Sequence, residues 1–201
     1  MRSRISKSVW SLLAVAAATL AGQAAMAAIT GTPHDLSGRG WGSTEVCVFC
    51  HTPHNAQTTS PLWNHAQTAA TFTLYSSSTL NATMAQPGGV SKLCLSCHDG
   101  TVALDSYGVR TGTNFIGTGS TRIGTDLSND HPIGFTYDAA LATADGGLAT
   151  PASASQVVAG IPLYSSKLEC ASCHDVHNNT LGDFLRTSNT GSALCLKCHN
   201  K

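Results

Sequence analysis

The 201-residue chain is long enough for one or two small domains, but its composition is unusual for a globular protein. Only 11% of its residues are charged, against about 25% in typical soluble proteins, and its formal net charge is zero. A chain without a basic excess gives no indication of nucleic-acid binding. Aromatic residues make up 6%, so side chains alone supply little material for a large apolar core.

The first 27 residues have the pattern of a secretory signal peptide. Arg2, Arg4 and Lys7 give a positively charged start, and residues 9–21 are almost entirely apolar. Ala25-Met26-Ala27 then fits a cleavage site with small residues at its outer positions. The apolar stretch is shorter than the ~20 residues needed to span a bilayer, so a membrane anchor is the weaker alternative. We therefore expect export and no membrane span in the mature chain.

A Cys-x-x-Cys-His pattern occurs four times in the rest of the chain and uses all eight cysteines. Its thiols are Cys47 and Cys50, Cys94 and Cys97, Cys170 and Cys173, and Cys195 and Cys198, and the histidines that follow are His51, His98, His174 and His199. This is the attachment pattern of covalent haem, in which two thiols bond the porphyrin edge and the adjacent histidine reaches the iron. We predict four covalent c-type haems, with their iron, as cofactors.

Other uses of paired cysteines fit this pattern less well. A zinc site or a redox dithiol also uses Cys-x-x-Cys, but neither requires a histidine directly after the second cysteine. With nine histidines in the chain, four such matches by chance have odds of about one in several hundred thousand. A disulfide framework is a poor alternative, because cysteines three residues apart suit small strained loops.

The motifs form two similar halves, which we expect to span about residues 28–110 and 111–201 of one tetrahaem domain. In each half one histidine precedes the first motif, that motif continues as Cys-His-x-x-His, and the second motif begins with Leu-Cys-Leu. The four additional histidines are His34, His54, His131 and His177. Four haems need four further axial ligands, and Met84 is the only methionine after the signal peptide. We therefore predict four bis-histidine haems of low reduction potential.

His54 and His177 each follow a motif histidine at a spacing of three residues. Residues at this spacing lie close together on a helical turn, so we expect each to bind the iron of an adjacent haem. The alternative for each additional histidine is a surface or hydrogen-bonded residue. His65 has no counterpart in the second half, and we expect it not to be a ligand. Trp63 and Phe184 are expected to pack on porphyrin faces.

Few regular elements are expected between the motifs. Short helices are predicted at residues 93–98, 170–177 and 193–199, an irregular loop at 71–90, a short strand or hairpin within 109–130, and a loosely held helix within 138–158. The predicted fold class is a mostly irregular multihaem cytochrome c fold with little or no sheet, in which stacked haems make the core. The chain without haem should fold poorly.

The two ends of the chain suggest a contact between copies. Only two residues follow His199, so the last haem is expected to have little polypeptide to cover it. His34 lies on an arm near the mature N-terminus, and such an arm could donate an axial ligand to the next subunit. A head-to-tail contact that does not close produces a filament.

Several segments resemble a known group of secreted cytochromes. C-V-F-C-H-T-P-H-N-A, P-L-W-N, C-L-S-C-H-D-G-T-V-A, H-P-I-G-F and C-A-S-C-H-D-V-H are similar to tetrahaem cytochromes of metal-reducing bacteria, and within them to the extracellular cytochrome filament subunits. The resemblance covers most of residues 34–199. It implies one closely stacked row of bis-histidine haems and one axial histidine supplied across the subunit boundary. The motif histidines and His34, His54, His131 and His177 match the family pattern, whereas His65 does not map onto it.

Three functions are compatible with these features. The first is a non-enzymatic electron conduit that polymerises outside the cell and delivers electrons to metal oxides, partner cytochromes or partner cells. The second is a soluble periplasmic carrier between quinol oxidases and outer-membrane complexes. The third is an enzyme that reduces nitrite, hydroxylamine or a similar oxyanion, which needs an iron with one open position. We do not expect catalysis, because the additional histidines suffice for four irons and no motif ends in lysine.

We expect the exported protein to weigh more than its polypeptide by four haem groups, because each thiol pair bonds one porphyrin. Alanine in place of both Cys47 and Cys50 should lower this excess by one haem. Intact-mass spectrometry under denaturing conditions measures only the covalently bound haem. A mass equal to that of the bare polypeptide would contradict the prediction.

Overall fold

The computed structural model describes residues 29–57, 60 and 62–200, so the predicted signal peptide lies outside the described residues. The described part has three α-helices and three 3-10 helices: α1 (Gly89–His98), α2 (Ala139–Asp145), α3 (Cys170–Cys173), and the 3-10 helices Ser37–Arg39, Thr190–Ser192 and Cys195–Lys197. Contacts between its extended segments are isolated bridges that build no sheet. The prediction of a mostly irregular fold with short helices and little or no sheet is confirmed.

The helix at the third motif is shorter than predicted. α3 ends at Cys173, and His174 has extended backbone angles (φ −111°, ψ 146°). The Asp175 N–H donates to the Phe184 carbonyl (2.7 Å) instead of continuing the helix. The prediction of a helix over residues 170–177 is therefore wrong, and so is the placement of His174 and His177 on one helical turn. The backbone groups after the motif pair with a segment that begins nine residues further along the chain.

The other predicted elements also differ in extent. α1 begins four residues before the predicted start at residue 93, and α2 ends at Asp145, where Gly146 caps it in the left-handed conformation (φ +69°). The Asp138 side chain begins α2 by accepting a hydrogen bond from the Leu141 N–H (2.8 Å). Residues 109–130 form no strand; Asp126 makes only an isolated bridge to Thr73. Among the described residues, no helix combines the length and apolar character required to cross a bilayer.

Side chains form two apolar clusters, each of which contacts the motifs. The larger cluster consists of Phe135, Tyr137, Leu141, Val157, Ile161, Leu163 and Leu168, and Leu194 and Cys198 of the fourth motif region pack against it. The smaller cluster joins Phe72, Leu127 and Leu95, the last of which lies inside the second motif. The chain therefore has an apolar core of its own beside the motifs, which its composition did not suggest.

We expect Val157→Ala to destabilise the protein by about 2 kcal/mol, because the change deletes two buried methyl groups and leaves a cavity. Val157 is 0% exposed, whereas Val109 is fully exposed at 106%, so Val109→Ala is a matched control. Val109→Ala should change the free energy of unfolding by no more than about 0.5 kcal/mol. Urea unfolding of the haem-loaded protein measures both values, and equal effects would contradict the assigned core.

Candidate haem site

Each motif is folded into one helical turn. The second motif lies within α1, and in the other three the histidine N–H donates to the carbonyl of the first cysteine, at 2.7 Å for His51, 3.0 Å for His174 and 3.0 Å for His199. Residues at positions i, i+3 and i+4 lie on one face of such a turn. The spacing therefore brings both thiols and the imidazole to the same side, which is the arrangement that a porphyrin edge and its iron require.

The thiols of neighbouring motifs are near enough to influence one another's pKa, in chain order. Cys97 interacts with Cys50, Cys94 with Cys170, and Cys198 with Cys173. Burial, followed by the charge of Cys50, raises the pKa of Cys97 to about 12, so this thiol is protonated at neutral pH. None of the eight cysteines forms a disulfide bond. The four attachment points thus form a continuous series from the first motif to the fourth.

These cysteines do not build a metal cage of the zinc type. Among residues 29–57, 60 and 62–200, no group of three or more histidine, cysteine, aspartate or glutamate side chains is arranged to hold a metal ion. A structural zinc site needs four such ligands at one point.

Three pairs of imidazole rings from distant parts of the chain lie close together. The ring centroids are 6.1 Å apart for His51 and His177, 6.0 Å for His34 and His98, and 6.4 Å for His131 and His199. In each pair one histidine belongs to a motif and the other is one of the four additional histidines. The sequence pattern named all six residues but did not reveal which of them meet.

The spacing within these pairs fits an iron bound between two imidazoles. A metal–imidazole bond is about 2 Å long and the ring centre lies about 1 Å behind the nitrogen, so two axial rings have centroids about 6 Å apart. Three observed pairs match this separation. The residues present therefore fit haem iron at the first, second and fourth motifs.

Three of the eight candidate ligand histidines have one ring nitrogen engaged by the backbone. The Nδ1 atoms of His98, His174 and His131 lie 2.6, 2.7 and 2.9 Å from the carbonyl oxygens of Thr121, Asp183 and Pro132. A metal-binding histidine characteristically donates its second ring N–H to such an acceptor, which fixes its tautomer and ring orientation. In this tautomer Nε2 carries the lone pair that binds a metal.

His34 lies inside its own chain beside His98, and not on an extended arm. Its ring contacts Phe184 edge-on (4.6 Å between centroids), and its Nδ1 is buried without a hydrogen-bond partner. Burial, then the neighbouring His98 and His174, lowers the pKa of His34 to about 4. The ring is therefore neutral at pH 7, and the neutral imidazole is the form that binds metal.

His54 and His174 are the two candidate ligands without a paired ring among the described residues. Both side chains are exposed. His54 lies in the irregular segment after the first motif, where the Thr52 hydroxyl donates to its carbonyl (2.8 Å). At the third motif, His174 therefore has no imidazole in the described part of the chain at the 6.0–6.4 Å separation of the other pairs, although His34 lies in its neighbourhood.

A short segment holds the first motif in place. The Thr52 N–H donates to the Leu62 carbonyl (2.8 Å), and the Asn64 N–H donates to the Cys50 carbonyl (2.8 Å). Leu62 has a positive φ of 61°, which turns the segment back along the motif. Trp63 lies between them, with its ring 6.2 Å from that of His51, so the expected neighbour of a porphyrin is next to a candidate iron ligand.

The third motif is held by the same backbone arrangement. The Asp175 N–H donates to the Phe184 carbonyl, as Thr52 does to Leu62, and the Arg186 N–H donates to the Cys173 carbonyl (2.9 Å). Phe184, like Leu62, has a positive φ (55°). The Arg186 side chain donates to the Ala171 carbonyl (2.7 Å) and to Asp175 (3.1 Å). The internal repeat seen in the motifs therefore extends to the segments that support them, although Arg186 itself gave no sequence signal.

His65 is buried beside the second motif. It is 1% exposed, and its Nδ1 and Nε2 lie 2.7 and 3.1 Å from the carbonyl oxygens of Ala66 and Ala103. Nε2 also lies 3.5 Å from the Cys97 sulfur. Since both nitrogens face other acceptors or a tethering sulfur, the position suits a packing residue behind the attachment point better than an iron ligand.

The last part of the chain matches a known sequence family. Residues 164–201 match the family described as Doubled CXXCH motif, a stretch that contains the third and fourth motifs. No curated protein matches the chain. The doubled motif indicates a multihaem c-type cytochrome, with covalently attached haem and its iron, and hence a haem-binding electron-transfer protein.

We expect His177→Ala to open one position on the iron of the first motif, because His177 is the imidazole that faces His51. The reduced variant should bind carbon monoxide at one haem, while the unaltered protein should bind none at the motifs with paired rings. His65→Ala is the control, and it should leave the low-spin spectrum unchanged. Optical titration with carbon monoxide measures binding in both variants. Binding by the His65 variant alone would contradict the assignment.

Proposed function

We propose that this haem-binding electron-transfer protein conducts electrons along a row of four bis-histidine c-type haems and catalyses no reaction of its own. The observation that carries the proposal is the approach of three imidazole pairs to 6.0–6.4 Å, each joining one motif histidine to one additional histidine. An iron held between two imidazoles has no position for a substrate and passes electrons only.

The ring pairs support an assignment of the axial ligands. His177 serves the first motif, His34 the second and His131 the fourth. His54 is then left for the third motif. The internal repeat supports this choice, because His177, the counterpart of His54, faces a motif of the other half. The two Cys-His-x-x-His segments would thus exchange ligands between the halves.

The sulfur contacts support a row in chain order, from the first haem to the fourth. Haem supplies the one-electron chemistry, and the chain sets the spacing, ligation and burial of each group. Neighbouring motifs in contact keep neighbouring haems close, which electron hopping requires. The two haems at the ends of the row would exchange electrons with donors and acceptors.

We further propose that the protein is exported and polymerises outside the cell, where it passes electrons to metal oxides or partner cytochromes. Haem attachment of this type, the resemblance to filament subunits and the low charge content of 11% support this setting. The exposed His54 and His174 add a structural reason. A histidine from a second copy, such as its His54, could complete the third motif and hold the two subunits together.

A soluble periplasmic carrier is the second candidate. The position of His34 favours it, because this imidazole lies beside His98 of its own chain and leaves no extended arm to bind a neighbour. Such a carrier would use the same haems without assembly. An oxyanion reductase requires an open iron, and the paired rings argue against one at three of the motifs.

Electron microscopy of protein collected from the culture medium separates the two settings. We expect filaments whose subunit repeat contains four haems, because a head-to-tail contact at the third motif does not close on itself. Cell fractionation provides the control, since a periplasmic carrier would remain inside the outer membrane. Isolated monomers at every concentration would rule out the filament and leave the carrier.

A further inference from the structure

Glu169 is a buried carboxylate at the contact between the helices that carry the second and third motifs. It is 2% exposed and directly precedes Cys170. Its Oε2 accepts a hydrogen bond from the Ser91 N–H in the first turn of α1 (3.1 Å). Its carboxylate also accepts from the Ser172 N–H, while the Ser172 hydroxyl accepts from the Glu169 N–H (3.0 Å). One side chain therefore caps both helices.

Neighbouring groups restrict the position of the Glu169 side chain. The Cys170 N–H donates to the Ser91 hydroxyl (3.0 Å). This is a second hydrogen bond between α1 and α3. Gly89 begins α1 with a positive φ of 48°, and a β-carbon there would lie 3.2 Å from Glu169 Oε1. Negative charge at the first turn of a helix is stabilised by the unpaired N–H groups and the helix dipole.

The carboxylate lies between two haem-attachment points. Cys94 and Cys170 interact with each other, and the charge of Glu169 acts on both sulfurs. These thiols belong to different motifs, the second and the third. The residues that precede the first cysteine of the other three motifs are Val46, Leu93 and Leu194, so only the third motif has a carboxylate at that position.

We propose that Glu169 holds the second and third haems side by side and lowers the reduction potentials of both through its buried negative charge. The inference rests on the proposed function, since it requires haem at both motifs. A ferric haem has one positive charge more than a ferrous haem, so a nearby anion favours the ferric form. The interaction is strong because little water screens a charge at this depth.

The consequence for conduction is a difference in reduction potential between the inner and the outer haems of the row. Reduction adds one electron per iron from an external reductant, and no bond or proton is transferred in the step. If the second and third haems have the lower potentials, electrons in a partly reduced protein reside on the first and fourth haems. An electron that crosses from one end to the other must then pass two haems of lower potential, so Glu169 would set the height of the uphill step in the middle of the row.

The test compares Glu169→Gln with Glu45→Gln in redox titrations of the haem-loaded protein at pH 7. Glu45 is the only other glutamate; it is exposed and lies two residues before the first motif, so it is a matched control. We expect two of the four midpoint potentials to rise in the Glu169 variant and none to move in the Glu45 variant. Four unchanged potentials, or an equal shift of all four, would overturn the proposal.

A charge effect and a purely structural role are separated by two further variants. Glu169→Asp keeps the charge, and Ser91→Ala removes a helix contact while leaving Glu169 intact. Both should lower the unfolding temperature with potentials near those of the unaltered protein. If Glu169→Asp shifted the potentials as far as Glu169→Gln, the charge would not be the cause and the proposal would fail.

An infrared measurement tests the coupling without any substitution. Because the chain has only two glutamates, ¹³C-labelled glutamate makes the buried carboxylate visible in the reduced-minus-oxidised difference spectrum. We expect a labelled carboxylate band that shifts on reduction, and its absence would overturn the proposal. Intact mass reports haem loading separately. A chain without haem would refute the proposed function, whereas four haems without the band refute only the role of Glu169.

Discussion

The contact on which the rest of the structure depends is the approach of imidazole rings from distant segments to about 6 Å, the separation that one iron imposes on two axial ligands. His51 meets His177 across more than half of the chain, and His34 meets His98 across about a third of it. The irregular segments between the motifs have to bring these rings together. A regular sheet would place side chains at fixed intervals, whereas turns with special backbone angles can direct each imidazole separately.

The N–H and C=O groups of the irregular backbone nevertheless have specific hydrogen-bond partners. After the first motif the chain pairs with Leu62 and Asn64, and after the third with Phe184 and Arg186. Each pairing replaces the hydrogen bonds that a longer helix would have made, and each positions an aromatic or cationic side chain against the motif. The same device in both halves indicates that the repeat includes the support of each motif as well as the motif itself.

Electrostatics in this protein are concentrated in few residues, because charged side chains make up only 11% of the chain. Glu169 is buried between two helices, and its hydrogen bonds to two helix N-termini offset its loss of hydration. A single charge in such a place acts on both neighbouring attachment points with little screening. A densely charged surface would not provide the same discrimination between the four motifs, because exposed charges are screened by solvent and salt.

The sequence by itself predicted the chemistry: the four Cys-x-x-Cys-His motifs, the eight candidate ligand histidines as a set, and a mostly irregular fold with short helices. These follow from local spacing, since two thiols and an imidazole must lie on one turn to meet one porphyrin. The tertiary structure alone decided that His177 faces His51, that His34 folds back to His98, that α3 ends at Cys173, and that Glu169 joins α1 to α3. These are contacts between residues far apart in the chain, and no periodicity or local motif records which distant partner a side chain will meet.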